Sequence, residues 1–258
     1  QNSWLCQSQA WVKEEGSAVG LQPTQVKTTH ATETTQQKTH QLWQEREEGG
    51  QDSTVMISRM KDSGESRKEA RALKSQLLTA KSRTKIGSWN VRTLYSTGKL
   101  AQVINEMKHY QLDILGISEM RWTDSWRRES DGMTIYYSGG TKHEKGVGII
   151  LTKEMAKSVI AWEPASERLI MVRIETRYTK VTLIQVYAPT NAAQDQEKDE
   201  FYELLQDILD ATPEHDMKVI MGDFNAQVGR DNTGWEETLG KEAIGVRNEN
   251  GGKTPQLL

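Results

Sequence analysis

Residues 112–122 read LDILGISEMRW. Leu112 to Ser118 form an apolar run that is short for a helix and suited to a strand buried on both faces. Glu119 stands at its C-terminal end. Upstream, Ile86, Ser88 and Asn90 alternate with Gly87, Trp89 and Val91, the period of a strand. Leu100, Val103, Ile104 and Met107 then recur at helical spacing. Strand, amphipathic helix and buried strand make one unit, and the helix is the crossover that lets its two strands run parallel.

Downstream, strand patterns follow in quick succession at 134–138, 146–151, 168–175 and 180–187. Their connections are too short for helical crossovers, so these strands pair antiparallel. A second amphipathic helix is predicted over 198–211, with Phe201, Leu204, Leu205, Ile208 and Leu209 on one face. Residues 217–221 form a further strand that delivers Gly222, Asp223, Phe224 and Asn225. From Ala226 onward Gly, Asn and Thr dominate and predict loop. Mixed sheets with helices outside them define a layered α/β (α+β) sandwich.

The 258 residues, 35% hydrophobic and 27% charged, suffice for a packed core. No run approaches the roughly 18 apolar residues of a membrane helix, and the first residues lack the pattern of a secretory signal. The single cysteine, Cys6, has no internal disulfide partner, and no Cys-x-x-Cys or His-Glu-x-x-His suggests zinc. These features predict an intracellular protein that is neither secreted nor membrane-bound. A net charge of -3 gives no global attraction to nucleic acid, so any such binding has to be local. Residues 1–84 are polar, Gln/Thr-rich at 22–41 and charged at 45–48. They are expected to be mostly disordered, with one short helix over 66–81 carrying Ala70, Leu73 and Leu77 on one face. A first residue of Gln suggests a fragment or a processed product.

Polar residues stand at the predicted strand ends, where open sheets collect ligand groups. They are Asn90 in SWNVRT, Glu119 in ISEMRW, Tyr187 in VYAPT, and Asp223 with Asn225 in MGDFNA. Taken singly each has a plainer account: turn residues for the asparagines and Asp223, a solvated carboxylate for Glu119, a packed ring for Tyr187. Their joint occurrence at successive strand ends argues for a site. Carboxylates, amides and a phenol suit phosphodiester hydrolysis, which needs a cation to neutralise the phosphate, an activated water and donors for developing charge. Magnesium, which keeps several waters, fits one glutamate, Glu119, as chief ligand, with Asn90 orienting it or touching the phosphate.

WNVRTL, LDILGISEMRW, GVGIIL, VYAPT and GDFNA together resemble the endonuclease/exonuclease/phosphatase superfamily, the DNase I-like class. In finer detail they are similar to the apurinic-type endonuclease domain of non-long-terminal-repeat retrotransposons. The resemblance covers residues 85–258. It implies Mg2+-dependent hydrolysis of DNA, with Mn2+ as a substitute, and a nuclear setting. Glu119 and Asn90 would serve the metal. Asp223 would hold or deprotonate the attacking water, Asn225 would aim an amide at the scissile phosphate, and Tyr187 would donate its hydroxyl; Asn90 belongs to the same catalytic set. By residue type rather than by resemblance, Arg92 and the run Arg121, Trp122, Trp126, Arg127 and Arg128, read as a loop, are candidate nucleic-acid contacts; the plainer account of the run is a solvated loop with one or two packed tryptophans.

The family also uses a later Asp or Asn and a terminal Asp-His pair. Here His30, His40, His109, His143 and His215 all precede Asp223. The resemblance therefore implies a C-terminally truncated domain with hydrolysis impaired or lost. It also leads us to expect an apolar face and an unpaired edge on the 168–187 ladder. Two other functions fit the same residues: a non-catalytic nucleic-acid-binding or interaction module, and a phosphatase acting on a lipid or inositol phosphate.

Overall fold

In the computed structural model, residues 9–13, 84–231, 233–234 and 245–254 are described. Strands β2 (Ile86–Asn90) and β3 (Ile114–Ser118) pair parallel, and the helix between them, here α1 (Lys99–His109), is the crossover. This is the unit predicted from 86–118. Strands β4 (Ser125–Ser130), β5 (Met133–Ser138) and β6 (Val147–Thr152) join antiparallel to complete a five-stranded sheet of order β2-β3-β6-β5-β4. The one-turn helix α2 (Lys153–Ala156) leads into β7 (Val159–Ser166), β8 (Leu169–Glu175) and β9 (Lys180–Tyr187). Helix α3 (Asp195–Ala211) then crosses to β10 (Met217–Asp223), which pairs parallel with β9. Strand β1 (Gln9–Lys13) pairs antiparallel with β10, giving a second sheet of order β1-β10-β9-β8-β7. A short helix, α4 (Glu249–Lys253), follows the long loop after β10.

Three apolar layers hold these elements together. Ile104 and Met107 of α1 meet Leu115, Ile117, Ile135 and Ile150 on the outer face of the first sheet. Ile114, Val147, Ile149 and Leu151 on its inner face meet Ile170, Val172, Ile174, Val181, Leu183, Val219 and Met221 of the second. The alternate residues Leu169, Met171, Ile184, Val186 and Ile220 pack beneath Phe201, Leu205, Ile208 and Leu209 of α3. The period-2 alternation of β8, β9 and β10 thus assigns each strand to two cores, and the result is a helix-sheet-sheet-helix sandwich. Each fully buried Leu or Ile contributes about 1.5–3 kcal/mol.

This packing corrects one expectation. The apolar faces of β8 and β9 are covered on both sides, by the first sheet and by α3, and β7 pairs along the free side of β8. Three strands escaped the sequence reading, β1, β4 and β7. β4, carrying Trp126, Arg127 and Arg128, was expected as loop; it is the outermost strand, with polar side chains on both faces and hence no alternation to detect. β7 is also an edge strand, and it contains Pro164 beside a register shift. In the polar region 1–84, expected to be mostly disordered, the described part includes the five-residue strand β1; the predicted helix over 66–81 lies outside the described residues.

Between the sheets runs a polar key. Gln185 Nε2 donates to Ser118 Oγ at 2.9 Å, Ser118 Oγ donates to Val186 O at 2.9 Å, and Ser88 Oγ reaches Gln185 Oε1 at 3.5 Å. Gly116 makes the room, because a Cβ there would lie 1.8 Å from Gln185 Oε1. Gln185 is fully buried and cannot swing into solvent. Gly116→Ala should therefore destabilise the fold by about 1–3 kcal/mol. Urea denaturation would register this as a lower midpoint, whereas an unchanged midpoint would mean that the sheets are not keyed at this point.

Candidate active site

Register puts the functional strand ends at one level. Asn90 pairs with Ser118 across β2 and β3, and Tyr187 pairs with Asp223 across β9 and β10. The two sheets therefore present Asn90, Glu119, Tyr187 and Asp223 along one edge of the sandwich. Asn90 joins them: its Nδ2 donates to Glu119 Oε1 at 2.7 Å and to Asp223 Oδ2 at 2.7 Å. Carboxylates only accept, so the amide nitrogen must face them. Asn90 Oδ1 meanwhile accepts from Arg92 N at 3.0 Å, which fixes the orientation of the group. Glu119 Oε2 also lies 3.5 Å from Arg121 Nη2.

The backbone around this cluster is held in unusual conformations. Arg92, Glu119 and Arg121 have φ of 57°, and Asn225 has φ of 46°. Left-handed conformations of non-glycine residues cost about 1–3 kcal/mol each and persist where surrounding contacts impose them. The contacts are visible. Asn225 N donates to Asp223 Oδ1 at 3.0 Å, and Asn225 Nδ2 donates to Ala188 O at 2.8 Å. Gly222 permits the turn, with φ of 144° and Val186 O 2.1 Å from the place of a Cβ. One N–H of the Asn225 amide, expected to aim at phosphate, is thus given to the loop after β9.

Two asparagines that the sequence reading did not single out brace the loops. Asn248 Nδ2 donates to Asn225 O at 3.0 Å, while its Oδ1 accepts from Gln227 N and Gly251 N and caps α4. Asn250 is fully buried and its Nδ2 lies 2.9 Å from Pro189 O and 3.3 Å from Phe224 O. The loops after β9 and β10 are thereby tied to each other. Arg168 was also missed. Its guanidinium lies 5.1 Å over the Tyr187 ring, donates to Tyr187 O at 3.0 Å and pairs with Glu197 at 2.8 Å. RNENG and SERL give little warning of this, since short polar loops look alike whether buried or solvated.

The expected nucleic-acid contacts separate into two groups. Arg92 and Arg121 adjoin Asn90 and Glu119. Arg127 and Arg128 belong to the edge strand β4, separated from β3 by β6 and β5; Arg127 pairs with Glu129 at 2.6 Å and Arg128 lies 5.6 Å over Trp122. Trp122 packs against the first core, donates Nε1 to Leu94 O at 3.1 Å and meets Tyr137 edge-on. Among the described residues no histidine hydrogen-bonds to the cluster: His143 bonds Arg121 O, and the His215 carbonyl accepts from Thr179 at the opposite end of the sheet.

No group of three or more His, Cys, Asp or Glu side chains forms a metal set among the described residues. The cluster has instead two carboxylates converging on one amide, a small set of hard oxygen donors. That set suits a cation that retains most of its waters, as magnesium or manganese does, and is unlike the nitrogen and sulfur ligands of zinc.

The sequence model of the Endonuclease/Exonuclease/phosphatase family matches residues 87–254. Craniofacial development protein 2 of Bos taurus is 38% identical over 189 residues, covering 73% of this chain and 31% of that protein. The chain thus spans about a third of the length of that relative. Exodeoxyribonuclease III of Haemophilus influenzae is 30% identical over 155 residues, 54% of this chain and 56% of that protein. Among solved structures, the endonuclease domain of TRAS1, a telomere-specific non-LTR retrotransposon, aligns with a TM-score of 0.47 at 15% identity, covering 67% of this chain and 72% of that one.

Burial, then the negative charge and hydrogen bond of Glu119, push the Tyr187 hydroxyl up to about 12, against the lowering effect of Arg168. A raised folded-state value favours the neutral phenol, so Tyr187 keeps its proton and remains a donor at neutral pH. The associated stability is present below the ordinary value of 10.0 and is lost as pH rises towards about 12. In metal-free protein, the phenolate absorbance difference between wild type and Tyr187→Phe should have its midpoint near 12. A midpoint near 10 would show that the hydroxyl is neither buried nor faced by Glu119.

Proposed function

The chain belongs to the Endonuclease/Exonuclease/phosphatase family, and on that premise we propose that its strand-end cluster holds a divalent cation and hydrolyses phosphodiester bonds of DNA. One observation carries the reading: Glu119 and Asp223, from different sheets, both lie 2.7 Å from the single amide nitrogen of Asn90. Two carboxylates brought this close repel each other; Arg121, 3.5 Å from Glu119, offsets part of that repulsion, and a cation between the two would offset more. Glu119 would be the chief ligand, with Asp223 beside it and Asn90 holding both. When bound, magnesium, or manganese in its place, supplies charge neutralisation and Lewis acidity at the phosphate.

The chain's own groups divide the remaining work. Asp223, its other oxygen fixed by Asn225 N, holds the attacking water and accepts its proton. Tyr187, kept neutral, donates its hydroxyl to a phosphate oxygen. Asn225 has a second amide hydrogen for the same phosphate. Arg92 and Arg121 supply local positive charge that the net charge of -3 lacks. DNA as substrate is supported by the likeness to exodeoxyribonuclease III. The motif resemblance supports nicking of the kind a retrotransposon endonuclease performs, in the nucleus.

The proposal includes a low rate. An acid-base partner is typically worth about 100-fold to 10,000-fold, and none of the described histidines bonds to the cluster. That observation also favours a second reading, a module that binds nucleic acid without cutting it.

The test is nicking of supercoiled plasmid by purified chain with magnesium, with EDTA, Glu119→Ala and Asp223→Ala as controls. Slow nicking that each control abolishes is the expected result. Nicking that survives both substitutions would contradict the assigned site. No nicking by a folded chain would contradict hydrolysis of DNA, and a parallel panel of inositol and lipid phosphates would reveal a phosphatase instead.

A further inference from the structure

Three loops meet beside the cluster, and the backbone ties them together. Val91 N bonds Ser118 O at 3.1 Å and Leu94 N bonds Met120 O at 2.9 Å, which fastens the loop after β2 to the loop after β3. Met120 N bonds Gly146 O at 3.0 Å and Arg121 N bonds Lys145 O at 2.8 Å, which fastens the latter to the loop before β6. Where they meet, the rings of Tyr95 and His143 lie against each other, centroids 4.4 Å apart and planes tilted by 52°.

The His143 ring and the Tyr95 backbone are each held in place. His143 Nδ1 lies 2.8 Å from Arg121 O; a carbonyl only accepts, so Nδ1 carries the proton and the ring orientation is set. Tyr95 N bonds Thr93 Oγ1 at 3.0 Å, closing a tight turn. Arg121 connects the pair to the cluster, since its carbonyl holds His143 and its guanidinium lies 3.5 Å from Glu119. Exposed aromatics are common on protein surfaces, and position distinguishes this one. Tyr110 packs edge-on against Trp89 at the end of α1, Tyr178 sits beside Arg177 in the turn between β8 and β9 at the opposite end of the sandwich, and Trp126 is on the outermost strand. Tyr95, 66% exposed, lies in the loop after β2; Arg92, three residues before it, and Lys142, next in the chain to His143, are also exposed.

We propose that Tyr95, backed by His143, is a stacking subsite for an unpaired nucleobase adjacent to the phosphate engaged by the cluster. The inference rests on the nuclease reading and adds a substrate class to it: DNA with an accessible base face, single-stranded or opened, in preference to intact duplex. Every base has an aromatic face, so such a subsite tolerates any sequence, while Arg92, Arg121 and Lys142 attract the adjoining backbone.

Fluorescence anisotropy of the full chain with a labelled single-stranded oligonucleotide tests this, with calcium replacing magnesium to hold off hydrolysis. Tyr95→Ala should weaken binding by about 5- to 150-fold, the range of one base-aromatic stack. Tyr95→Phe, which retains the ring, should bind as wild type does. Duplex of the same sequence should be affected little. In a set of oligonucleotides each with one abasic position, one member should bind wild type and Tyr95→Ala equally. Unchanged single-strand affinity in Tyr95→Ala would overturn the subsite and leave the nuclease reading intact. So would a loss that is equal for duplex and for every abasic oligonucleotide, or a loss in Tyr95→Phe, since these indicate a backbone or hydroxyl contact. Wild type that binds neither form of DNA would overturn the nucleic-acid reading itself, and the subsite with it.

Discussion

One side-chain amide stands where two sheets end. Asn90 Nδ2, at 2.7 Å from both Glu119 and Asp223, joins the carboxylate of the first sheet to that of the second. That contact requires the strand ends to be level, and their level is set by how the sheets face each other. Gln185, rooted in β9, crosses to Ser118 over a gap left by Gly116, so a shift of either sheet would break a buried hydrogen bond as well as disturb the cluster. The apolar layer between the sheets supplies the bulk of the adhesion, and the polar key supplies the register.

The same economy shapes the loops. Positive φ at Arg92, Glu119, Arg121 and Asn225 places conformational cost beside the cluster, and each is met by nearby hydrogen bonds. Asn248 and Asn250, distant in sequence, brace the turn that carries Asp223 and Asn225 and link it to the loop after Tyr187. Arg168 restrains Tyr187 from the ring face and the backbone at once. Polar side chains that touch no substrate thus hold those assigned to the chemistry.

Much of this was legible from residue patterns, for identifiable reasons. The parallel pair β2 and β3 follows from a strand period, a helix period and a short apolar run in succession, and Glu119, Tyr187 and Asp223 are conspicuous because polar residues close apolar strands. β4 and β7 were missed because an edge strand needs neither alternation nor freedom from proline. Trp122 was left open between a nucleic-acid contact and a packed ring because a Trp between arginines carries no mark of which way it faces; it packs against the core. Gln185 and Asn250 are fully buried polar residues, and burial of that kind depends on partners brought in by the fold: Ser118 for one, Pro189 and Phe224 for the other.

The most direct examination of the central claim, that two sheets converge on one cation site, is anomalous diffraction from crystals of the chain grown with manganese. The account predicts a single strong peak within coordination distance of both Glu119 and Asp223, with Asn90 still bonded to their other oxygens. Crystals saturated with manganese that show no peak there, or a peak elsewhere while Glu119 and Asp223 remain joined through Asn90 alone, would contradict it.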